Sequence, residues 1–234
     1  MPIAKLSAAL TAVDWAGNVA SFLGQSQAKD LAEANLRMAI WAKQLETVDK
    51  GNPALCFVRE MQIEGQYVAT LIALSLYKPA ASSMRAMLET ALYYTFFRTH
   101  LSELETLVRD DDYYISKKYI LEYHKKHTPD FSTFQNKLGV VDRLDKWYSK
   151  VSAVIHGQIP GAWVEHKSLA EIAPIAATQN LVVDAFKEGE ELVHRFFLCT
   201  VAQTHWHSFS TTAKQKFLHG LTGEVKTLLD LDAA

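Results

Sequence analysis

Cysteine is nearly absent: Cys56 and Cys199 are the only two in 234 residues, too few for a disulfide framework. Each lies among apolar neighbours, Cys56 in Ala54-Leu55-Cys56-Phe57-Val58 and Cys199 behind Phe196-Phe197-Leu198. Both are therefore expected to be buried, reduced thiols, as suits a reducing compartment. Charge of one sign is also lacking. A formal net charge of −2 excludes a strongly basic protein that coats nucleic acid without selectivity, though not a local basic patch. No long hydrophobic run is present. The longest, around Tyr67–Tyr77, is interrupted by Thr70 and Ser75 and is too short to span a bilayer. Asp14 breaks the apolar stretch Leu6–Val13, and no small-residue cleavage site follows, so no secretory leader is expected. These absences together predict a cytoplasmic protein with no membrane partner.

Alternating strand patterns between tight turns are missing as well, and what is there follows the helical period. With 49% hydrophobic and 21% charged residues, the chain can bury a substantial core. Pro53, Pro79, Pro129, Pro160 and Pro174 all fall at boundaries between periodic segments. The pattern predicts helices near 3–22 (broken near Gly17), 29–48, 53–77, 79–100, 103–127 (broken near 111), 131–156, 167–172, 175–206 and 210–230. Asn52 ahead of Pro53 reads as an N-cap followed by proline in the first turn, and Gly157 reads as a left-handed helix stop. Helices 53–77 and 79–100, separated by Lys78 alone, should be antiparallel neighbours. With 139–156 and 175–206 they should form the central bundle. The expected architecture is all-α: a single domain over 1–234, with an N-terminal helical segment at 1–50, a core bundle at 53–206 and a C-terminal helix at 210–230.

Three groups of polar residues stand out on this apolar background. Arg85 and Glu89 lie four apart on a helix that is greasy nearly all round, among Met84, Met87, Leu88, Ala91, Tyr93, Tyr94 and Phe97. Removing one member of a buried ion pair costs about 3–5 kcal/mol. The pair is either a structural staple between helices or a polar site in the bundle. A second group, Lys150, Ser152 and His156, closes the helix that ends at Gly157. Ser152 and His156 share a face, and a histidine at a helix C-terminus is also favoured by the macrodipole alone. The third is the run Tyr113–His127, in which tyrosines interleave with Lys117, Lys118, Lys125 and Lys126. Such a run suits stacking on bases and holding phosphates. Placing Asp110, Asp111 and Asp112 at the front of that helix and the basic residues at its back equally suits the dipole.

Other chemistries find no motif. There is no Gly-x-Ser-x-Gly elbow, no Walker loop and no Gly-x-Gly-x-x-Gly. His205 and His207 are two apart and point to opposite sides of a helix, and His124 and His127 are embedded in lysines. No metal and no cofactor is expected.

A helical bundle with Arg85-x-x-x-Glu89 on an early core helix and Ser152-Ala-Val-Ile-His156-Gly157 closing a later one resembles HEPN-like proteins of bacteria and archaea. The likeness covers residues 53–206. Many such proteins serve as toxins or anti-phage defence components; they commonly dimerise, and the active ones cut RNA with an Arg-x(4–6)-His motif. Here the arginine position is taken by Ser149, Lys150 or Val151, so the nearest match is Lys150-x5-His156. Lysine keeps the charge but not the bidentate fork. The resemblance implies His156 as general acid and base toward the ribose 2′-hydroxyl, Lys150 on the scissile phosphate, Arg85 and Glu89 orienting the site, and no required metal. RNA, a partner protein and a second copy of the chain are the partners expected. The other reading is a non-catalytic helical interaction module, an adaptor or antitoxin-like partner.

Overall fold

A computed structural model describes residues 2–164 and 166–232, and among these the regular structure is entirely helical. The chain begins with α1 (Pro2–Ala12), α2 (Trp15–Leu23) and α3 (Ser26–Val48). The antiparallel pair α4 (Leu55–Ala73) and α5 (Tyr77–Phe97) follows, then α6 (Leu101–Arg109) and α7 (Lys117–His127). The second half contains α8 (Phe131–Leu138), α9 (Val140–Ile155), α10 (Ala176–Cys199), α11 (Val201–His205), α12 (Thr211–Leu218) and α13 (Gly223–Leu229). Single 3₁₀ turns lie at Leu169–Glu171 and Trp206–Ser208.

α5 is the axis of the bundle. Thirteen of its 21 residues are buried, and it packs against α4, α9 and α10. The expected central four helices are therefore together. To them the structure adds α3, which lies on both α4 and α10. α3 carries Trp41, whose fully buried indole stacks on Phe217 of α12 at 3.8 Å and meets Phe197 and Phe209 edge-on. Its N–H donates to Nδ1 of the buried His194 at 3.1 Å. Burial, with Arg37 and Arg195 nearby, pushes the His194 imidazole down to about 3, so the ring sits neutral in the core.

Helix boundaries follow local capping chemistry that the periodicity did not resolve. The N-terminal break falls at Asp14, not at Gly17. Asp14 Oδ1 accepts from the Gly17 N–H at 2.8 Å, and a Cβ on Gly17 would lie 2.2 Å from that carboxylate. Asn52 does not cap α4, which starts at Leu55 behind Ala54 with no side-chain cap. Its Oδ1 accepts from the Ala54 N–H at 3.0 Å in the turn before the helix, and Pro53 lies in that turn. The Asn52 amide also donates to the Arg98 carbonyl at 2.9 Å, tying the start of α4 to the end of α5. α4 and α5 are joined through Ser75, buried at φ 61°, and Lys78 and Pro79 lie inside the first turn of α5.

Three longer predicted helices are divided. The segment 131–156 turns at Gly139 (φ 62°), 175–206 breaks at Thr200, and 210–230 parts around Gly220. The 167–172 helix is one 3₁₀ turn. Gly157 does stop α9 in the left-handed region, φ 66°. Cys199 is buried as expected, whereas Cys56 is exposed: it falls on the outer face of α4 despite its apolar sequence neighbours.

Candidate functional site

The site is built where α5, α7 and α9 meet. Arg85 and Glu89 stand one turn apart on the solvent-facing edge of α5, with side chains 29% and 32% exposed, at the rim of the core and not inside it. Arg85 Nε donates to Glu89 Oε1 at 3.0 Å. Tyr148, halfway along α9, donates its phenolic O–H to the same Oε1 at 2.5 Å. The Tyr148 ring lies 4.8 Å from the Arg85 guanidinium carbon and 4.8 Å from Lys117 Nζ. Cations over a phenol ring are attracted by its quadrupole. Lys117 also forms an ion pair with Asp145, one turn before Tyr148. Burial, the hydrogen bond to Glu89 and that carboxylate's charge hold the Tyr148 hydroxyl well above the usual phenol range, so it remains a donor at neutral pH.

The other end of Arg85 reaches the C-terminus of α9. Its Nη1 is 3.4 Å from His156 Nε2, on an exposed surface. A guanidinium can only donate, so the contact is a hydrogen bond when Nε2 carries its lone pair. Lys78 stands behind the same turn: a Cβ added to Gly157 would come 3.8 Å from its Nζ. Arg85, Lys78 and His156 thus gather at the end of α9, where carbonyls left without helical partners favour positive charge.

On its other side Arg85 borders an open groove of about 500 Å³, walled by Leu92, Tyr93, Tyr114, Ile115 and Ile120 and edged by Glu89, Lys117, Lys118 and Tyr148. The groove floor belongs to α5 and its far wall to the 110–116 connection. That connection corrects one expectation: Asp110, Asp111 and Asp112 are not the front of α7. The helix starts at Lys117 behind Ser116, whose Oγ accepts from Tyr119 N–H at 3.2 Å. Lys117 and Lys118 therefore occupy a helix N-terminus, where the dipole disfavours cations. Asp145 and the Tyr148 ring account for Lys117; Lys118 is left facing the groove.

Of the sequence candidates, Arg85 touches both Glu89 and His156, and Lys117 and Lys118 line the same groove as Arg85 and Glu89. Ser152 lies one turn before His156, with its Oγ buried and without a hydrogen-bond partner. Lys150 is exposed on the same helix, and it is Arg85 of α5 that meets His156. Lys125 pairs with Glu122 at 2.7 Å near the far end of α7, and neither it nor Lys126 borders the groove. Sequence reasoning missed Tyr148 and Lys78, whereas Tyr114 belongs to the Tyr113–His127 run marked for stacking on bases. Tyr148 was hidden because it continues the apolar stripe of α9. The available signal was a tyrosine in that stripe, since a phenol O–H drawn into an apolar face usually finds a partner.

No protein-family model, curated protein or solved structure matches the chain.

Two other charged clusters are structural. Arg37 of α3 grips the buried Glu190 through Nε at 2.8 Å and Nη2 at 2.5 Å, and also reaches Glu191. Asp49 accepts from Tyr94 at 2.7 Å and from Arg98 at 2.9 and 3.1 Å, with His205 beside it. In each the charges are fully engaged with one another, locking α3 to α10 and to the end of α5. Among the described residues no three His, Cys, Asp or Glu side chains group to hold a metal ion, and no helix is long and apolar enough to cross a membrane.

Proposed function

We propose that the chain is a HEPN-like RNA-binding protein that cleaves RNA without a metal, with Arg85 of α5 taking the part that an arginine on the histidine's own helix plays in the family. The observation that supports this reading is the 3.4 Å approach of Arg85 Nη1 to His156 Nε2 on open surface. A guanidinium and an imidazole so placed can share one phosphodiester. The phosphate draws Nη1 toward its oxygens and frees the Nε2 lone pair. His156 then takes the proton of the 2′-hydroxyl, and the 2′-oxygen attacks the adjacent phosphorus. The P–O5′ bond breaks and the 5′-oxygen takes a proton from water, leaving a 2′,3′-cyclic phosphate and a 5′-hydroxyl. Lys78 and Lys117 add charge on either side, and Glu89 with Tyr148 fixes the guanidinium.

Incubation of the protein with single-stranded RNA in EDTA tests it. The expected result is cleavage to cyclic-phosphate ends, reduced about 100-fold or more in His156→Ala, and abolished when the scissile nucleotide is 2′-deoxy. Equal activity in wild type and His156→Ala, or none in either, removes the catalytic reading.

A second reading, a non-catalytic interaction module that docks a partner protein or a second copy, is favoured by α1. This helix buries none of its residues and turns Ile3, Leu6 and Leu10 outward at 77%, 52% and 42% exposure. Light scattering and pull-down decide it: a strict monomer that captures nothing counts against it.

A further inference from the structure

Glu89 presents only one of its two oxygens to the protein. Oε1 accepts from both Arg85 Nε and Tyr148 Oη, whereas Oε2 takes no hydrogen bond from any described residue. Two donors on one oxygen stop the carboxylate from rotating, so Oε2 is held in a fixed direction. Glu89 lines the groove beside Arg85, and the walls around it are aromatic and aliphatic: Leu92 and Tyr93 from α5, Tyr114 and Ile115 from the loop before α7. Tyr114 is 74% exposed, an uncovered ring at the mouth. At about 500 Å³ the groove is within the size range of small-ligand sites, and its make-up of apolar walls with a few placed polar groups is theirs too. Cations mark its rim: Arg85 and Lys117 at Tyr148, and Lys118 alongside.

We infer that this groove is a nucleobase subsite and that it selects guanine, stacked on Tyr114 with its Watson–Crick edge donating to Glu89 Oε2 while the attached phosphate lies toward Arg85 and Lys117. The chemistry of the four bases makes the choice. Guanine alone offers two adjacent donors, N1–H and the 2-amino group, that can both converge on the single free oxygen of an acceptor-only carboxylate with no lone pair beside them. Adenine and cytosine each set one amino group beside an unprotonated ring nitrogen, whose lone pair faces the carboxylate. Uracil sets its N3–H between two carbonyls. A base that covers Oε2 without donating to it strips away its water and returns no hydrogen bond, and this is what gives such sites their discrimination. Stacking on aromatic side chains holds any base, so Tyr114 supplies affinity and Glu89 supplies choice.

This inference rests on the RNA reading of the site but is tested apart from it. The intact chain is titrated calorimetrically with GMP, AMP, CMP, UMP and ribose 5-phosphate. GMP is expected to bind at least tenfold more tightly than the other three nucleotides, and ribose 5-phosphate most weakly. Glu89→Gln should bring the four nucleotides within about twofold of one another, and Tyr114→Ala should weaken all four by about tenfold; circular dichroism checks that both variants are folded. The subsite is overturned by four nucleotides that bind like ribose 5-phosphate, by no binding at all, by a different preferred base, or by a guanine preference that survives Glu89→Gln. Guanine-selective binding without RNA cleavage sinks only the catalytic reading, and cleavage without base preference sinks only this one.

Discussion

Arg37 shows what a single side chain can hold in place. Glu190, its partner, is 2% exposed and accepts both arms of the guanidinium fork. Burial pushes the Glu190 carboxyl above its ordinary range against the pull of Arg37. Arg37→Ala would leave that carboxyl stranded, and the expected loss is about 3–5 kcal/mol in urea-unfolding free energy. Arg37→Met combined with Glu190→Leu should recover most of it, because a buried pair replaced by apolar side chains of like volume is close to neutral. The cysteines differ in the same way. Burial drives the Cys199 thiol up to about 12, while Cys56 is exposed. Native protein should consume one equivalent of a thiol reagent, and denatured protein two.

At this scale the sequence was informative only where a residue broke a pattern. Arg85, Glu89 and His156 are polar on apolar or closing turns and were visible for that reason. Tyr148 and Trp41 were not, because an aromatic in an apolar stripe looks the same whether its polar atom meets water, a carboxylate or an imidazole. Arg37 was hidden for the opposite reason. It lies in a helix with many charges, and only the tertiary arrangement brings Glu190 to it.

At the level of the helix, steric fit between neighbours decides more than propensity. α10 passes α9 at Gly189, where an added Cβ would lie 2.4 Å from the Trp147 ring. That ring cannot swing aside, since its N–H donates to the Ala185 carbonyl at 2.7 Å one turn away. Gly189→Ala is therefore expected to destabilise the protein by about 1–3 kcal/mol, despite alanine's higher helix propensity, as read from the denaturation midpoint. The contrast with Gly220, around which nothing lies within 4 Å but whose φ is 80°, separates a glycine needed for space from one needed for conformation. Periodicity placed the four central helices and the break near 111, because burial of one face is written in every third or fourth residue, but not the breaks at Gly139, Thr200 and Gly220. It missed the ends. Asp14, Ser116 and Thr200 set boundaries through single hydrogen bonds or backbone angles, which leave no period.

For the molecule as a whole, the two buried histidines set the response to acid. His194 and His124 are both pushed down to about 3, by burial first and then by the charges of His100 and Arg98 for His124 and of Arg37 and Arg195 for His194. His124 is sealed between Thr95 and Thr128, at 2.9 and 2.8 Å. In the unfolded chain each would take a proton near pH 6.5, while in the fold each stays neutral. Their contribution is therefore complete above about pH 6.5 and declines as the pH falls toward about 3. At pH 5 each should cost about 2 kcal/mol relative to neutral pH. Thermal melts at constant ionic strength should show Tm dropping between pH 7 and 5, and His124→Gln should flatten that slope. Below about pH 4 Asp49 and Glu191, held low despite burial by Arg98 with Tyr94 and by Arg195 with Arg37, lose their partners' stabilisation as well.

The uneven distribution of burial also sets a timetable for exchange with deuterated water. α5 places thirteen of its 21 residues out of solvent, whereas α1 hides none and leans chiefly on the 3₁₀ turn at Leu169–Glu171. Amide protons in α5 should wait for global opening, and those of α1 should be lost through local fraying long before. Clamping α1 against another surface would slow only that early class, leaving the late one unchanged.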